Sequence, residues 1–273
     1  IDLIKKKEIT IVSGPAGTGK AQPLYSKICT PDGWINMGDI KIGQTICTPD
    51  GGVANVSAIY PQGLKDCYRV TFNDGTYTDC CGEHLWKVYT DCDRAYNREH
   101  KSDRFSILQT KDMIGSVIIR GNRKNYKIPT TYPVKYNKKD LLLDPYLIGV
   151  LIGDGGMTSG NTVLASKDNE IINEVNNIVS VFGLEVSPTK STTNGNDCSY
   201  LIKIKDKYNL KENIVTRITG DLGIRCKSEY KFIPKDYLYS SIEDRISLLQ
   251  GLMDTDGTID KRNGCPTYRS EEH

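Results

Sequence analysis

The chain has 273 residues, a formal net charge of +2 and 26% charged residues. Because positive and negative charges nearly cancel, a globally basic nucleic-acid-binding protein is excluded, and any affinity for DNA must come from local patches. No amino-terminal signal segment and no apolar run of the roughly eighteen residues that a membrane helix needs occurs, which predicts a cytoplasmic protein with no membrane partner. Nine cysteines without a C-x-x-C pair favour free thiols.

The first element is a strand that leads into a glycine-rich loop, with residues 8–20 reading EITIVSGPAGTGK. This G-x-x-x-x-G-K pattern is typical of the phosphate-binding loop of nucleotide hydrolases. The residues predicted to contact a nucleotide are Gly14, Gly17, Gly19 and Lys20.

The residue after that lysine should be Ser or Thr to hold Mg²⁺, but it is Ala21. Gln22, Pro23 and a turn at 30–33 follow, so no helix is predicted where the phosphate-binding helix should begin. We therefore expect an insertion after Lys20. Residues 1–20 would be a fragment of a host P-loop ATPase, such as a PhoH-like or helicase protein.

Two later segments read ICTPDGWINMGDIKIGQTICTPDG (28–51) and NDGTYTDCCGEHLW (73–86). They resemble the amino-terminal splicing block and the Thr-x-x-His block of inteins, whose splicing domain has the mainly β HINT fold. The resemblance implies that His84 protonates or hydrogen-bonds the amide of the Lys20–Ala21 junction, with Cys81 at the usual Thr position. No cofactor is implied for splicing.

Ala21 stands where most inteins have a nucleophilic Cys or Ser, and a methyl group cannot attack the preceding carbonyl. Three explanations remain open. The residue was engineered from Cys, the first residue of the downstream host segment attacks the junction directly, or an internal cysteine from a later block does so. Trp86 resembles a tryptophan that marks the third route.

The splicing domain is expected over residues 21–130, with short strands at Thr48, 53–60, 67–72 and 85–89. Residues 101–139 are rich in Lys and Arg and contain three tyrosines. We interpret this stretch as a linker to the next domain, which either contacts DNA or is a solvated basic loop.

Two segments share an apolar pattern with small residues at the third and seventh places and an Asp-Gly ending: LIGVLIGDG (147–155) and LQGLMDTDG (249–257). On helices, the small residues allow close packing, and each carboxylate lies at a helix C-terminus where the dipole is already negative. Asp154 and Asp256 would therefore repel each other and favour a divalent cation such as Mg²⁺, which can activate water for phosphodiester hydrolysis.

These segments resemble the paired motifs of LAGLIDADG homing endonucleases. The resemblance implies an α+β endonuclease over residues 131–273 that cuts double-stranded DNA at the allele lacking the insertion. Asp154 and Asp256 would bind the metal, and Lys231 of the segment KFIP would assist at the scissile phosphate. Between the motifs we expect a helix at 169–183, strands at 184–190 and 200–205, and a helix at 209–222. Lysines for phosphate contacts would be Lys190, Lys203, Lys205 and Lys207.

The sequence ends seventeen residues after Asp256, before the closing intein blocks and the second half of the nuclease fold. We therefore expect an incomplete endonuclease domain and no splicing by this chain, whose partners would include the missing carboxyl-terminal intein segment and the downstream host segment. Two alternatives stay open. One is a DNA-binding or homing nuclease protein without splicing, and the other is a P-loop ATPase with an inserted domain.

Overall fold

The computed structural model describes residues 1–13, 20–193, 195, 198–206, 212–262 and 264–268. The chain divides into two compact units, Ile1–Lys135 (unit 1) and Tyr136–His273 (unit 2). All strand pairings in the described part are antiparallel. These residues therefore do not include the parallel sheet that a P-loop ATPase core is built on.

Unit 1 consists mainly of short strands. The strands are β1 (Asp2–Ser13), β2 (Lys20–Pro23), β3 (Lys27–Thr30), β4 (Gly33–Asn36), β5 (Thr45–Cys47), β6 (Val53–Asn55), β7 (Ala58–Thr71), β8 (Tyr77–Cys81), β9 (Leu85–Val88), β10 (Ser106–Gln109), β11 (Ile118–Ile119) and β12 (Arg123–Lys124). Its helices are α1 (Asp91–His100) and α2 (Thr110–Met113).

The largest sheet of unit 1 has the order β2, β1, β7, β8. Its two edge strands, β2 and β8, also contact each other, and Gln22 Nε2 donates to Thr78 Oγ1 at 3.5 Å. A turn at Gly75, whose φ of +84° favours glycine, leads from β7 into β8. The sheet therefore brings the strand that contains Lys20 and Ala21 next to the strand that contains Cys81.

Two apolar clusters stabilise unit 1. One contains Ile28, Met37, Ile40, Ile46 and Val56, and the other contains Val70, Cys80, Trp86, Val88 and Met113. Every one of these side chains is less than 10% exposed, so both clusters exclude water.

Several predictions for unit 1 can be compared with these elements. No helix follows Lys20, as predicted, because β2 begins there and pairs with β1. The strand predicted at 85–89 is confirmed as β9, but the one predicted at 53–60 is divided between β6 and the start of β7. Thr48 was wrongly predicted to lie in a strand, since the turn closed by Gly51 N–H to Thr48 O at 3.0 Å follows β5.

The interpretation of residues 101–139 as a linker was wrong for its first part. Residues 106–109 form β10, which pairs with β9, and α2 follows directly with Met113 buried. Tyr126 packs against the second apolar cluster. The apolar side chains between the charged ones fold this segment into unit 1, although its charge pattern had suggested a solvated connection.

Unit 2 combines helices with a four-stranded sheet. Its helices are α3 (Pro145–Gly153), α4 (Asn169–Ser180), α5 (Lys190–Thr193), α6 (Ile214–Asp221), α7 (Lys235–Leu238) and α8 (Ile242–Asp256). Its strands are β13 (Gly155–Gly156), β14 (Thr162–Ala165), β15 (Leu184–Pro188), β16 (Ser199–Ile204), β17 (Gly257–Asp260) and β18 (Cys265–Tyr268). The sheet order is β13, β14, β16, β15, with β17 and β18 as a separate hairpin.

A single apolar core holds these elements together, with contributions from α3, α4, α6, α8 and three strands of the sheet. Its fully buried side chains include Leu147, Leu151, Leu164, Val175, Leu184, Ile202 and Val215. The helix expected at 169–183 and the strands expected at 184–190 and 200–205 are present as α4, β15 and β16, and α3, β13 and β14 precede them.

Side-chain caps determine where the helices of unit 2 begin. Asp144 accepts hydrogen bonds from the N–H groups of Tyr146 and Leu147, so α3 begins at Pro145. The helix predicted at 209–222 is present as α6 from Ile214, where Asn213 caps it through Thr216 N–H, and residues 209–211 lie outside the described part. Of the lysines predicted to contact DNA, Lys190, Lys203 and Lys205 are exposed, and Lys207 lies outside the described residues. In the described part of the chain, no helix has the length and apolar character needed to cross a bilayer.

Candidate active site

The two motif helices of unit 2, α3 and α8, touch through their glycines. A Cβ on Gly149 would meet the carbonyl oxygen of Leu248 and would lie 2.9 Å from Leu252 N. A Cβ on Gly251 would meet Tyr146 O and would lie 2.8 Å from Val150 N. The two backbones are therefore in direct contact, and both positions require a residue without a side chain.

This contact brings the ends of both helices to one cavity of about 650 Å³. Asp154 is the C-cap of α3, and Asp256 is the last residue of α8. Both carboxylates line the cavity, together with Lys231 and Tyr268. The structure thus assembles the three residues that the sequence predicted for DNA cleavage, although they are up to about 100 positions apart.

The electrostatics of this cavity favour a cation. Burial raises the pKa of the Asp154 carboxyl, the charge of Asp256 raises it further, and the charge of Lys231 opposes the shift. Two neighbouring carboxylates repel each other when both are ionised, and a cation bound between them would stabilise the doubly ionised form.

Lys231 lies against the end of α3. Its Nζ donates to the carbonyl oxygens of Gly155 at 2.6 Å, Ile152 at 3.0 Å and Leu151 at 3.1 Å, with Gly153 O at 3.4 Å. Leu151, Ile152 and Gly153 belong to the last turn of α3, where carbonyls lack intrahelical donors, and a cation there stabilises the negative end of the helix dipole. The same ammonium group is close enough to Asp154 to oppose the rise of its pKa. A role of Lys231 at the scissile phosphate remains a prediction.

The pair of carboxylates suits Mg²⁺, which is bound in proteins through one or two carboxylates and keeps several waters. Within the described residues, no group of three or more His, Cys, Asp or Glu side chains could hold a metal ion. Asp154 and Asp256 are the two carboxylates that line this cavity, and their binding of a divalent cation remains a prediction.

The predicted splicing residue His84 lies in the core of unit 1. It is only 7% exposed, and its ring makes an edge contact with Trp86 at 4.9 Å between centroids. The loop around it is closed by His84 N–H to Cys81 O at 3.2 Å and by Thr110 N–H to His84 O at 3.0 Å. The imidazole thus packs against Trp86, and the backbone of His84 is fixed by hydrogen bonds to Cys81 and Thr110.

Thr110 is a residue that the sequence analysis missed. It is fully buried, it accepts a hydrogen bond from Trp86 Nε1 at 2.9 Å, and its hydroxyl lies 3.3 Å from Cys80 Sγ. Thr110 belongs to no recognisable sequence motif. It lies beside His84 because β9 pairs with β10. Thr110 therefore positions the indole of Trp86 and the backbone of His84 together.

Cys81, predicted at the usual Thr position, is buried and lies opposite Cys67 in the pairing of β7 with β8. Burial raises the pKa of its thiol, so the thiol is neutral at pH 7. Lys20 and Ala21 lie in β2, which packs beside β8. Gly14, Gly17 and Gly19, predicted to bind phosphate, lie outside the described residues.

A second feature that the sequence analysis missed is a buried carboxylate on β8. Asp79 is 3% exposed and accepts hydrogen bonds from Arg69 Nε at 2.9 Å, Arg69 Nη2 at 3.0 Å and Tyr25 Oη at 2.7 Å. The Arg69 guanidinium holds the pKa of this carboxyl below its usual range. The cluster ties β8 to β7 and to the turn after β2.

We expect Asp79→Asn to destabilise unit 1 by about 2 kcal/mol at pH 7, because the buried network loses its negative charge and one of its two acceptor oxygens. Since the folded-state pKa of Asp79 is lowered, its contribution is present above about pH 4, the unfolded pKa, and is lost as the pH falls through the folded pKa. The difference in the free energy of unfolding between the variant and the wild type should therefore be smaller at pH 3 than at pH 7. Thermal unfolding at both pH values measures it, with the exposed Asp66→Asn as control. Equal destabilisation at both pH values would contradict the assigned charge.

No family model matches the chain. The chain is similar to the replicative DNA helicase DnaB of Mycobacterium intracellulare, with 29% identity over 261 residues that cover 91% of this chain and 39% of that protein. It is also similar to the replicative DNA helicase DnaB of Mycobacterium leprae, with 34% identity over 80 residues, 29% of this chain and 13% of that protein. The chain spans about two fifths of the length of the first relative. These names support the P-loop ATPase alternative more directly than splicing or DNA cleavage.

Proposed function

We propose that this chain is part of an intein with a LAGLIDADG homing endonuclease, inserted in the nucleotide-binding loop of a helicase-like P-loop ATPase. In this proposal, residues 1–20 are the host fragment, residues 21–130 belong to a mainly β HINT-type splicing domain, and residues 131–273 belong to an α+β endonuclease. The observation that carries it is the meeting of Asp154 and Asp256 in one cavity, at the ends of two helices packed through glycines.

The residues of the cavity have separable tasks in this reaction. A divalent cation such as Mg²⁺, when bound, polarises the phosphate and lowers the pKa of a bound water. Asp154 and Asp256 hold the cation through their carboxylates. Lys231 stabilises the end of α3, and therefore the position of Asp154, and adds a positive charge near developing negative charge on the phosphate. The substrate is double-stranded DNA at the uninterrupted allele.

The similarity to replicative DNA helicases supports a helicase-like host, and the insertion is argued from the residues that follow Lys20. The match covers 91% of the chain, so it extends far beyond the P-loop pattern of residues 8–20 into both units. Lys20 is followed by Ala21 and a strand, whereas a working P-loop needs a hydroxyl and a helix there. Both units therefore fit a module placed inside a helicase-like protein. Ala21 would be the first residue of the intein, and its methyl group cannot attack the carbonyl of Lys20. Splicing that begins with this attack is therefore inactive.

A P-loop ATPase with an inserted domain is the second candidate, and the names of the relatives favour it. It predicts that the chain binds ATP through Lys20 and the preceding glycines. A homing nuclease or DNA-binding protein without splicing activity is the third candidate. In that case the gene beyond the codon for His273 would lack the His-Asn and Ser, Thr or Cys that end an intein.

Two measurements test the proposal, the first on the natural full-length protein and the second on the 273-residue chain. A plasmid that carries the related P-loop coding sequence without an insertion should be cut in both strands with Mg²⁺ and left intact with a chelator. The 273-residue chain should show no binding of a fluorescent ATP analogue. An uncut plasmid together with ATP binding that Lys20→Ala abolishes would overturn the endonuclease proposal in favour of the ATPase.

A further inference from the structure

The β17–β18 hairpin folds back over the end of α8. Gly257, directly after Asp256, pairs with Tyr268 across the hairpin. Tyr268 Oη donates a hydrogen bond to Asp256 Oδ2 at 3.3 Å, and the tyrosine lines the same cavity as both carboxylates. A tyrosine from another strand is thus placed on one oxygen of the metal-binding carboxylate.

From this contact we propose that Tyr268 is a positioning residue for Asp256 in the divalent-cation site. The inference rests on the proposed endonuclease function. A carboxylate that binds a metal is usually oriented by a hydrogen bond to one of its lone pairs. A phenol suits this task because it is a neutral donor. It orients the carboxylate without competing with the cation, whereas the positive charge of a second lysine would take the place of the cation.

The end of α3 lies close to the same oxygen of Asp256. A Cβ built on Gly153 would be in ordinary van der Waals contact with Asp256 Oδ2 at 3.4 Å, and its close contact would be with Thr255 Cβ at 2.7 Å. The bond from Tyr268 Oη therefore reaches an oxygen that lies beside the end of α3. Other lone pairs of the carboxylate, which offers about four acceptor sites, stay available to a cation.

The chain contains a matched control. Tyr146 Oη donates to Asp254 Oδ2 at 2.8 Å, a bond of the same type on the same helix. Tyr146 and Asp254 line a different surface pocket, with Asp144, Asp168 and Glu174 among its other residues. Removal of the Tyr146 hydroxyl tests the loss of a tyrosine–aspartate bond on α8 without a change in the cavity of Asp154 and Asp256.

The experiment measures Mn²⁺ binding to the 273-residue chain by the loss of the free-ion electron paramagnetic resonance signal. We expect Tyr268→Phe to weaken Mn²⁺ binding by about tenfold. This is the lower end of the range of affinity losses seen when a hydrogen bond that orients a metal ligand is removed. Tyr146→Phe should bind as the wild type does, and Asp256→Asn should lose the site. Thermal unfolding of each variant without metal shows whether unit 2 stays folded. The phenyl ring keeps the packing of a residue that is 42% exposed.

The outcomes separate the two proposals. Loss of binding in Asp256→Asn with unchanged affinity in Tyr268→Phe would overturn the role of Tyr268 and leave the endonuclease proposal standing. Equal weakening in Tyr268→Phe and Tyr146→Phe would also overturn it, since the effect would not be specific to this cavity. Unchanged Mn²⁺ binding in both Asp154→Asn and Asp256→Asn would overturn the endonuclease proposal, and the inference with it.

Discussion

Asp256→Asn in the natural full-length protein should lower the rate of Mg²⁺-dependent plasmid cleavage by about 1,000-fold, which corresponds to about 4 kcal/mol of lost transition-state stabilisation. The substitution removes one negative charge from a pair of carboxylates that share a cavity. The amide that replaces it is a weak ligand for a hard cation. Asp154→Asn should have an effect of similar size. Initial rates of linear product formation on the uninterrupted target measure both effects.

Asp254→Asn is the matched control for this loss. Asp254 lies on the same helix, two residues earlier, and accepts its hydrogen bond from Tyr146. It does not line the cavity that Asp154 and Asp256 share, although it lines another surface pocket together with Asp154. Cleavage should therefore remain within a few-fold of wild type. If Asp256→Asn cuts as fast as Asp254→Asn, the assignment of the active site is wrong. If all three variants are inactive, a loss of folding must be tested by thermal unfolding before the result is ascribed to catalysis.

Gly251→Ala should destabilise unit 2 by about 3 kcal/mol, the upper part of the usual range for overpacking, and lower its unfolding temperature by about 10 °C. A Cβ at this position would meet the carbonyl oxygen of Tyr146 and the Cα of Gly149 at 3.1 Å. Backbone atoms of a packed helix cannot rotate away as a flexible side chain can, so the helices must separate. Calorimetry of the variant chain measures the shift.

Gly160→Ala is the control for this prediction, because a Cβ at Gly160 would meet no atom within 4 Å. It changes the same residue type in the same unit, and its stability should stay within about 0.5 kcal/mol of wild type. Gly149→Ala should resemble Gly251→Ala, since the two glycines face each other. Unfolding of Gly251→Ala at the wild-type temperature would show that α3 and α8 are not in backbone contact.

Local patterns in the sequence were sufficient to predict the ends of the elements around the site. The helical spacing of apolar residues predicted α3, α4 and α8, and the Asp-Gly endings correctly marked where the motif helices stop. The absence of a helix after Lys20 also followed from local residue types. These features depend on contacts between residues a few positions apart, and such contacts are present in the sequence itself.

The Asp-Gly endings of the two motifs predicted that Asp154 and Asp256 lie at helix ends, whereas Lys231 was predicted from the resemblance of the segment KFIP to a family motif. Only the tertiary structure decided that Lys231 binds the carbonyls at the end of α3, that Tyr268 reaches Asp256, and that Thr110 lies between Trp86 and Cys80. It also decided that residues 106–127 fold into unit 1. Each of these contacts joins residues that are distant in the chain, and no local spacing encodes them. They result from strand pairing and from the close approach of two helices whose glycines leave no side chain between the backbones.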